Sequence, residues 1–226
     1  MLRQPPPENT QTTLSKPRHV PALQDITLAD LPPRVGLLPL AETILLPQGQ
    51  LPLTVFEPRY LALLEASLAH HRMIGIIQPH MKARFGDEAP LLETIGTLGR
   101  ITSFMEQESG QFFITLTGVC RFRLLQDQTT ESGWREGRIN AMPFSHDLLE
   151  PPNYTLDRNA FSKALKGYSQ RHELSIKWDN LKTLNNSTLV TMLSMLLPFS
   201  SLTKQALLEC KNPCDRAHKL LEELAH

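Results

Sequence analysis

The chain predicts an α+β fold, with a small irregular β-barrel followed by a helical bundle. Three observations carry this. Short apolar runs with prolines within or beside them begin the segment 34–145, and alternating strand-like stretches complete it. After Asp157 the apolar residues recur every three or four positions to the end of the chain. Between the two patterns lies the proline-rich stretch 143–153, PFSHDLLEPPN, with the composition of a linker.

Residues 1–33 read as a disordered tail, because Pro5-Pro6-Pro7 and the polar residues after them offer too little apolar surface to offset chain ordering. Ile26, Leu28 and Leu31 are the exceptions that can dock a short piece, and Pro32-Pro33 marks the boundary. Three short extended runs follow at Leu37–Leu40, Ile44–Leu46 and Leu51–Phe56, the last two separated by the turn Pro47-Gln48-Gly49-Gln50. Prolines in these runs require strand ends, edges or bulges. From Pro58 the period becomes helical, with Tyr60, Leu61, Leu64 and Leu68 on one face over about residues 58–70. Pro58 suits a first helical turn, where its missing donor costs nothing.

Met73–Pro79 is a buried strand and residues 80–92 a polar loop. Four strand candidates come next: 96–105, 111–118, 119–125 and 134–141. Glu108-Ser109-Gly110 turns the first hairpin and Ser132-Gly133 leads into the last strand. The helical segment 146–226 then shows a face of Phe161, Ala164, Leu165 and Tyr168, and a short helix at Trp178–Leu184. A third helix is capped by Ser187 or Thr188, faces the core with Leu189, Met192, Leu193 and Leu196, and stops at Pro198. Two more begin near Thr203 and at Asn212-Pro213, the last burying Ala217, Leu220, Leu221 and Leu224. Both parts are expected to form one domain.

Composition narrows the function. The 226 residues carry 23 basic and 23 acidic side chains, so the chain lacks the broad positive field that draws nucleic acid or anionic membrane. Three cysteines make no disulfide framework and favour a reducing compartment. No run approaches the ~20 apolar residues of a membrane span. The N-terminus lacks a signal-peptide core, and the cytoplasm is the expected location.

Pro39-Leu40, Leu46-Pro47, Pro52-Leu53 and Phe56-Glu57-Pro58-Arg59-Tyr60 together resemble the signature of the N-terminal domain of the Lon protease family. Gly96–Ile101, Gly118-x-x-Arg121-Phe122, Pro198-Phe199, Lys204–Glu209 and Arg216-Ala217 extend the resemblance over roughly residues 34–225. The resemblance implies a PUA-like β-pseudobarrel followed by a helical bundle, and a stand-alone LON substrate-binding domain. Its implied ligands are unfolded or hydrophobic polypeptide segments, and a protease or chaperone is an implied partner. No phosphate-cradling G-x-x-x-x-G-K-[ST] occurs, so neither ATPase nor peptidase activity is inherited. No cofactor or metal is expected, and the implied role is non-enzymatic.

Two apolar pairs stand out as binding candidates: Phe104 with Met105, and Phe112 with Phe113. Adjacent apolar residues on a strand cannot all face one core, so either a second layer covers one set or an apolar patch is exposed. The signature residues Pro39, Leu40, Pro47, Pro52, Phe56, Glu57, Arg59 and Tyr60 are expected to be structural, with Glu57 and Arg59 fixing a helix start. Arg100, Arg121, Arg123, Arg135 and Arg138 on strands are the basis of an RNA-binding alternative, with Glu106, Glu108, Glu131 and Glu136 close by as diluting charges. Ser201-Leu202-Thr203-Lys204 is an S-x-x-K match that a serine–lysine hydrolase would use. The S-D-N and K-T-G elements of penicillin-binding enzymes are missing, so Ser201 reads as a helix cap. Cys210, Cys214 and His218 supply at most three ligands where structural zinc wants four.

Overall fold

The alternating runs pair into one mixed sheet of six strands among the described residues. The structure is a computed structural model describing residues 21–80, 90–108, 110–150 and 154–226. Residues 1–20 of the expected tail, most of the expected loop 80–92, Ser109 of the expected turn and Pro151-Pro152-Asn153 of the expected linker lie outside the described residues. The strands are β1 (Arg34–Pro39), β2 (Gln50–Val55), β3 (Met73–Ile77), β4 (Ile95–Glu106), β5 (Phe112–Thr129) and β6 (Arg135–Asn140). Their order is β2-β5-β4-β3-β1-β6, and β6 also pairs with β5. Hydrogen bonding therefore closes a ring through β5, β4, β3, β1 and β6, while β2 hangs on β5 outside it. The result is a pseudobarrel and not a true barrel. The β1–β3 pair is parallel and the other pairs are antiparallel.

The prolines sit where a missing donor is harmless. Pro52 lies in β2, which pairs only with β5, and Pro39 ends β1. The middle run of the three, Ile44–Leu46, does not form the expected strand. Its side chains are all buried, and left-handed backbone at Glu42 (φ 53°) and Gln48 (φ 64°) brackets it. It is an apolar plug held by loop hydrogen bonds: Gln48 N–H donates to Gly118 O and Gly118 N–H to Gly49 O, both at 2.8 Å.

The two strands expected at 111–118 and 119–125 are one strand of 18 residues. Leu98 pairs with Cys120 but Gly99 with Gly118, which leaves Val119 as an extra residue. That bulge bends β5, so its two halves serve different neighbours, β2 at one end and β6 at the other. Gly133 (φ 83°) turns the chain into β6.

Helix α1 (Pro58–Ala69) begins at the expected proline. It buries Leu63, Leu64 and Ser67, so its inward face is turned slightly from the predicted one. Arg72 (φ 57°) ends the turn after it, donating its N–H to Ser67 O at 2.8 Å. The helical part comprises α2 (Arg158–Arg171), α3 (Trp178–Lys182), α4 (Asn186–Leu196), α5 (Ser201–Glu209) and α6 (Pro213–Ala225). Asp157 caps α2 and Asn212 caps α6, each accepting backbone N–H bonds through its side chain. The cap of α4 is Asn185, not Ser187 or Thr188. Leu196, assigned to the core face of α4, is exposed, and Val190 and Met195 are buried instead. The inward side of α4 meets both α5 and α6, a wider face than one heptad stripe.

One apolar cluster runs from the sheet (Leu38, Ile74, Ile76, Leu116) through the plug into the helices (Phe161, Leu193, Leu220). A second, on the other side of the sheet, gathers Leu37, Met73, Ile77, Phe122 and Ile139. Strands β1 and β3 contribute to both, which is why their sequence is continuously apolar. The last residues of the expected tail reach this second cluster: Ile26 is buried there between two short 3-10 turns, Leu23–Asp25 and Leu28–Asp30. The expected linker is not a free tether over its first half, because Met142–Leu148 forms a 3-10 segment packed on β5.

Candidate functional site

Two places concentrate chemistry: a buried polar hub where sheet meets helices, and an exposed apolar end of the sheet. The hub is built on Arg121. Its strand position lies between Cys120 and Phe122, and all three are buried. Its guanidinium forks onto Asp147, with Nε donating to Oδ2 and Nη2 to Oδ1, both at 2.8 Å. The backbone N–H of Arg121 also donates to Asp147 Oδ2 at 3.0 Å. The two side chains are 2% and 7% exposed. Nη1 donates to the carbonyls of Leu208 (3.0 Å) and Cys210 (2.6 Å), at the C-terminal end of α5. Those carbonyls have no partner further along the helix and lie at the negative end of its dipole. Arg216 reaches the same end, its Nε donating to Leu207 O at 2.9 Å. Burial pulls the Arg216 guanidinium down to about 10, with repulsion from Arg121 adding to it. It is still a cation at neutral pH.

Arg121 is thus no part of a surface stripe. Arg100 is also drawn inward, donating to Pro21 O at 3.1 Å, and Arg135 pairs with Asp127. Only Arg123 and Arg138 of the five strand arginines are exposed. The basic stripe behind the RNA-binding alternative does not assemble from them. The Cys120 thiol is pushed up to about 12 by burial and by Asp147, so it stays protonated and unreactive at neutral pH. No group of three or more His, Cys, Asp or Glu that could hold a metal occurs among the described residues.

The S-x-x-K pair is split by its partners. Ser200, not Ser201, caps α5, its Oγ accepting from Thr203 N–H at 3.2 Å. Ser201 Oγ accepts the backbone N–H of Glu42 at 3.1 Å. Lys204 is buried and donates its Nζ to Met195 O, at the end of α4. No hydrogen bond joins Ser201 to Lys204, so the lysine does not activate the serine. Burial pulls the Lys204 ammonium down to about 8, with Glu42 opposing the shift. Between about 8 and the ordinary 10.5 the unfolded chain holds more protons at this residue, so stability gains with pH there. Across pH 8–9 the wild type should gain ~1 kcal/mol relative to Lys204→Met, the opposing contribution of buried Cys120 being the same in both proteins. Urea midpoints at the two pH values measure this. Equal pH slopes for wild type and variant would show that Lys204 keeps an ordinary proton affinity.

Gln78 and Gln205 complete the junction. Gln78 Nε2 donates to Gln205 Oε1 and to Ser201 O, both at 3.0 Å, and Gln205 Nε2 donates to Ile95 O at 3.1 Å. Sequence reasoning missed Asp147 because it lies in an apparent linker. It misread Arg121, although a lone charge inside V-C-R-F was a signal of a buried ion pair.

The signature residues at the start of α1 are more open. Glu57 precedes Pro58 without a side-chain cap bond, and Arg59 Nη2 lies 2.8 Å from Glu57 Oε2. Arg59 also lies over the Tyr60 ring, 4.6 Å from its centroid. Pro39 and Pro47 are half-buried, Pro52 is exposed, and Leu40 N–H donates to Ile77 O at 3.0 Å. Phe56 is exposed.

The apolar end is formed where β4, β5 and β2 run together. Met105 pairs with Phe113, and Phe113 with Thr54 of β2. Phe104 is 56% exposed, Met105 61% and Phe113 46%. Phe112, between Val55 and Glu106, is half-buried against the main core. The structure therefore separates the four candidates by face: Met105 and Phe113 share one face of the strands, while exposed Phe104 pairs with Ile114 and lies with half-buried Phe112 on the other. Exposed Phe56 follows Val55 directly at this same end of β2.

A family model described as the ATP-dependent protease La (LON) substrate-binding domain matches residues 34–226. Lon protease 1 of Bdellovibrio bacteriovorus is 27% identical over 201 residues, 84% of this chain and 24% of that protein. The Lon protease of Anaeromyxobacter dehalogenans is 26% identical over 117 residues, 52% of this chain and 14% of that protein. The chain thus spans less than a quarter of the length of these curated relatives. Among solved structures, a Lon N-terminal domain protein from Xanthomonas campestris aligns with a TM-score of 0.56 at 24% identity, covering 84% of this chain and 97% of that one. The N-terminal domain of a Mycobacterium avium complex Lon protease aligns at 0.54 and 16% identity, covering 85% and 97%.

Proposed function

The chain belongs to the LON substrate-binding domain family, and we propose on that premise that it is a non-catalytic polypeptide-recognition module. Its ligands are unfolded or hydrophobic polypeptide segments, handed to or held beside a separate protease or chaperone. The family match fills residues 34–226 of the 226 residues. The observation that carries the reading is the exposure of Phe104, Met105 and Phe113 on the two faces of one end of the paired strands. Large apolar side chains held on rigid strands bind apolar segments with little ordering cost. The signature residues from Pro39 to Tyr60 act as architecture that shapes this end of the sheet. Free Cys120, Cys210 and Cys214 support a reducing, cytoplasmic setting. No helix among the described residues is long and apolar enough to cross a membrane.

The test is the affinity of a reduced and alkylated, permanently unfolded polypeptide, measured by fluorescence anisotropy. Wild type should bind it. The double variant Phe104→Ser/Phe113→Ser should bind at least about tenfold more weakly, as for loss of aromatic anchors. Its unfolding free energy should fall by no more than ~2 kcal/mol, because each ring is already about half exposed and only part of a buried Phe's contribution is lost. No binding by the wild type, or equal binding by the variant, rejects the reading.

A further inference from the structure

The helical part holds a cleft separate from the apolar end of the sheet. Helices α2, α3 and α4 enclose a cleft of about 610 Å³, within the ~300–1,000 Å³ range of ligand pockets. Phe161, Leu165 and Leu189 form its buried floor, and half-buried Trp178 and Leu181 its far wall. Its charged lining residues are Arg158, Lys166 and Lys182, and no carboxylate among the described residues lines it. Helix α2 as a whole carries Arg158, Lys163, Lys166 and Arg171 and no acidic residue. Arg158 is partly committed to Asn186 Oδ1, and Lys182 pairs with Asp179 in water. Exposed Lys166 has no carboxylate partner among the described residues, and its Nζ lies 5.5 Å from the Trp178 ring centroid. An apolar slot is thus rimmed by cations, one of them resting on an aromatic wall.

We propose that this cleft recognises a polypeptide segment that places an apolar or aromatic side chain next to acidic residues. The apolar floor takes the anchor, and Lys166 with its neighbours takes the carboxylates. That the occupant is polypeptide rests on the function proposed above; the charge preference rests on the rim. The chain's own first twenty residues do not fit, since they carry Arg3, Lys16 and Arg18 against Glu8 alone. Lysine-flanked apolar segments are repelled from the rim, so the cleft sorts among hydrophobic segments by the charge beside them.

Fluorescein-labelled peptides with one apolar core and either Asp/Glu, Lys or Ser flanks are titrated with the full chain. The acidic-flanked peptide should bind about fivefold tighter than the serine-flanked one, and the lysine-flanked peptide more weakly than both. The preference should shrink as salt is raised. Lys166→Glu, an exposed substitution, should erase or invert it, and Lys166→Arg should keep it. Equal affinity for all flanks, or a preference untouched in Lys166→Glu, overturns the proposal. So does a preference abolished by Phe104→Ser/Phe113→Ser but not by Lys166→Glu, an outcome that leaves the polypeptide-binding reading intact. A medium-chain fatty acid that binds in a Lys166-dependent way while no peptide does overturns the polypeptide assignment. Failure of every peptide and of the unfolded polypeptide overturns the reading on which the proposal rests.

Discussion

Arg121→Leu should lower the unfolding free energy by ~3–5 kcal/mol, a large share of the ~5–15 kcal/mol that holds a domain together. The substitution leaves the Asp147 carboxylate buried without its cation. It also strips the donor from the Leu208 and Cys210 carbonyls at the end of α5. The carboxylate then keeps only the backbone N–H of residue 121, and two carbonyls lose their guanidinium donor; buried polar groups cost far more unpaired than their pairing contributes. Arg121→Lys should recover little, since an ammonium cannot fork onto both carboxylate oxygens and still reach the carbonyls. Arg121→Leu combined with Asp147→Leu should be milder than the sum of the two single changes, because no lone charge is left behind. Urea unfolding of the four proteins measures this. A loss under ~1 kcal/mol for Arg121→Leu would show that the hub does not tie the sheet to the helices.

Gly118→Ala should cost ~3 kcal/mol or more, for a wholly different reason. A Cβ at residue 118 would stand 2.0 Å from Leu46 O and 2.8 Å from Leu46 C, both backbone atoms. Neither atom can rotate away as a side chain does. Relief requires moving the Ile44–Leu46 plug, which fills the junction between sheet and helices. The paired bonds between Gly118 and residues 48 and 49 break with that movement. Thermal unfolding measures the loss, and faster amide exchange at Gln48 and Gly118 should accompany it. Gly110→Ala is the control: its Cβ meets nothing within 4 Å, and only the left-handed φ of 75° opposes it, at ~1 kcal/mol. Equal losses for the two variants would remove steric approach as the cause at Gly118.

The site was less legible than the fold. Phe104, Met105 and Phe113 stood out as apolar neighbours, and whether they were covered depended on where the helices packed. The cleft on α2 left a visible trace, four cations without an acid, but its floor needed Leu189 of α4 to meet Phe161 of α2. Ser201 and Lys204 had catalytic spacing, and lost that meaning once Glu42 and Met195 claimed them.

What residues decide among close neighbours was readable from the chain alone. Asn212 caps a helix, Pro58 and Pro213 start helices, a helix stops before Pro198, and Gly133 turns a hairpin, because each effect acts within a turn of backbone. The order of signature fragments identified the family by the same local evidence. Tertiary structure decided the rest. Ile44–Leu46 looked like a strand but found no neighbour to pair with, so it became a plug. Arg121 looked like a surface cation, yet its partners lie 26 residues away at Asp147 and 87 away at Leu208. A charge is buried or exposed according to what the fold brings to it, and partners so distant in sequence leave no period in the chain to read.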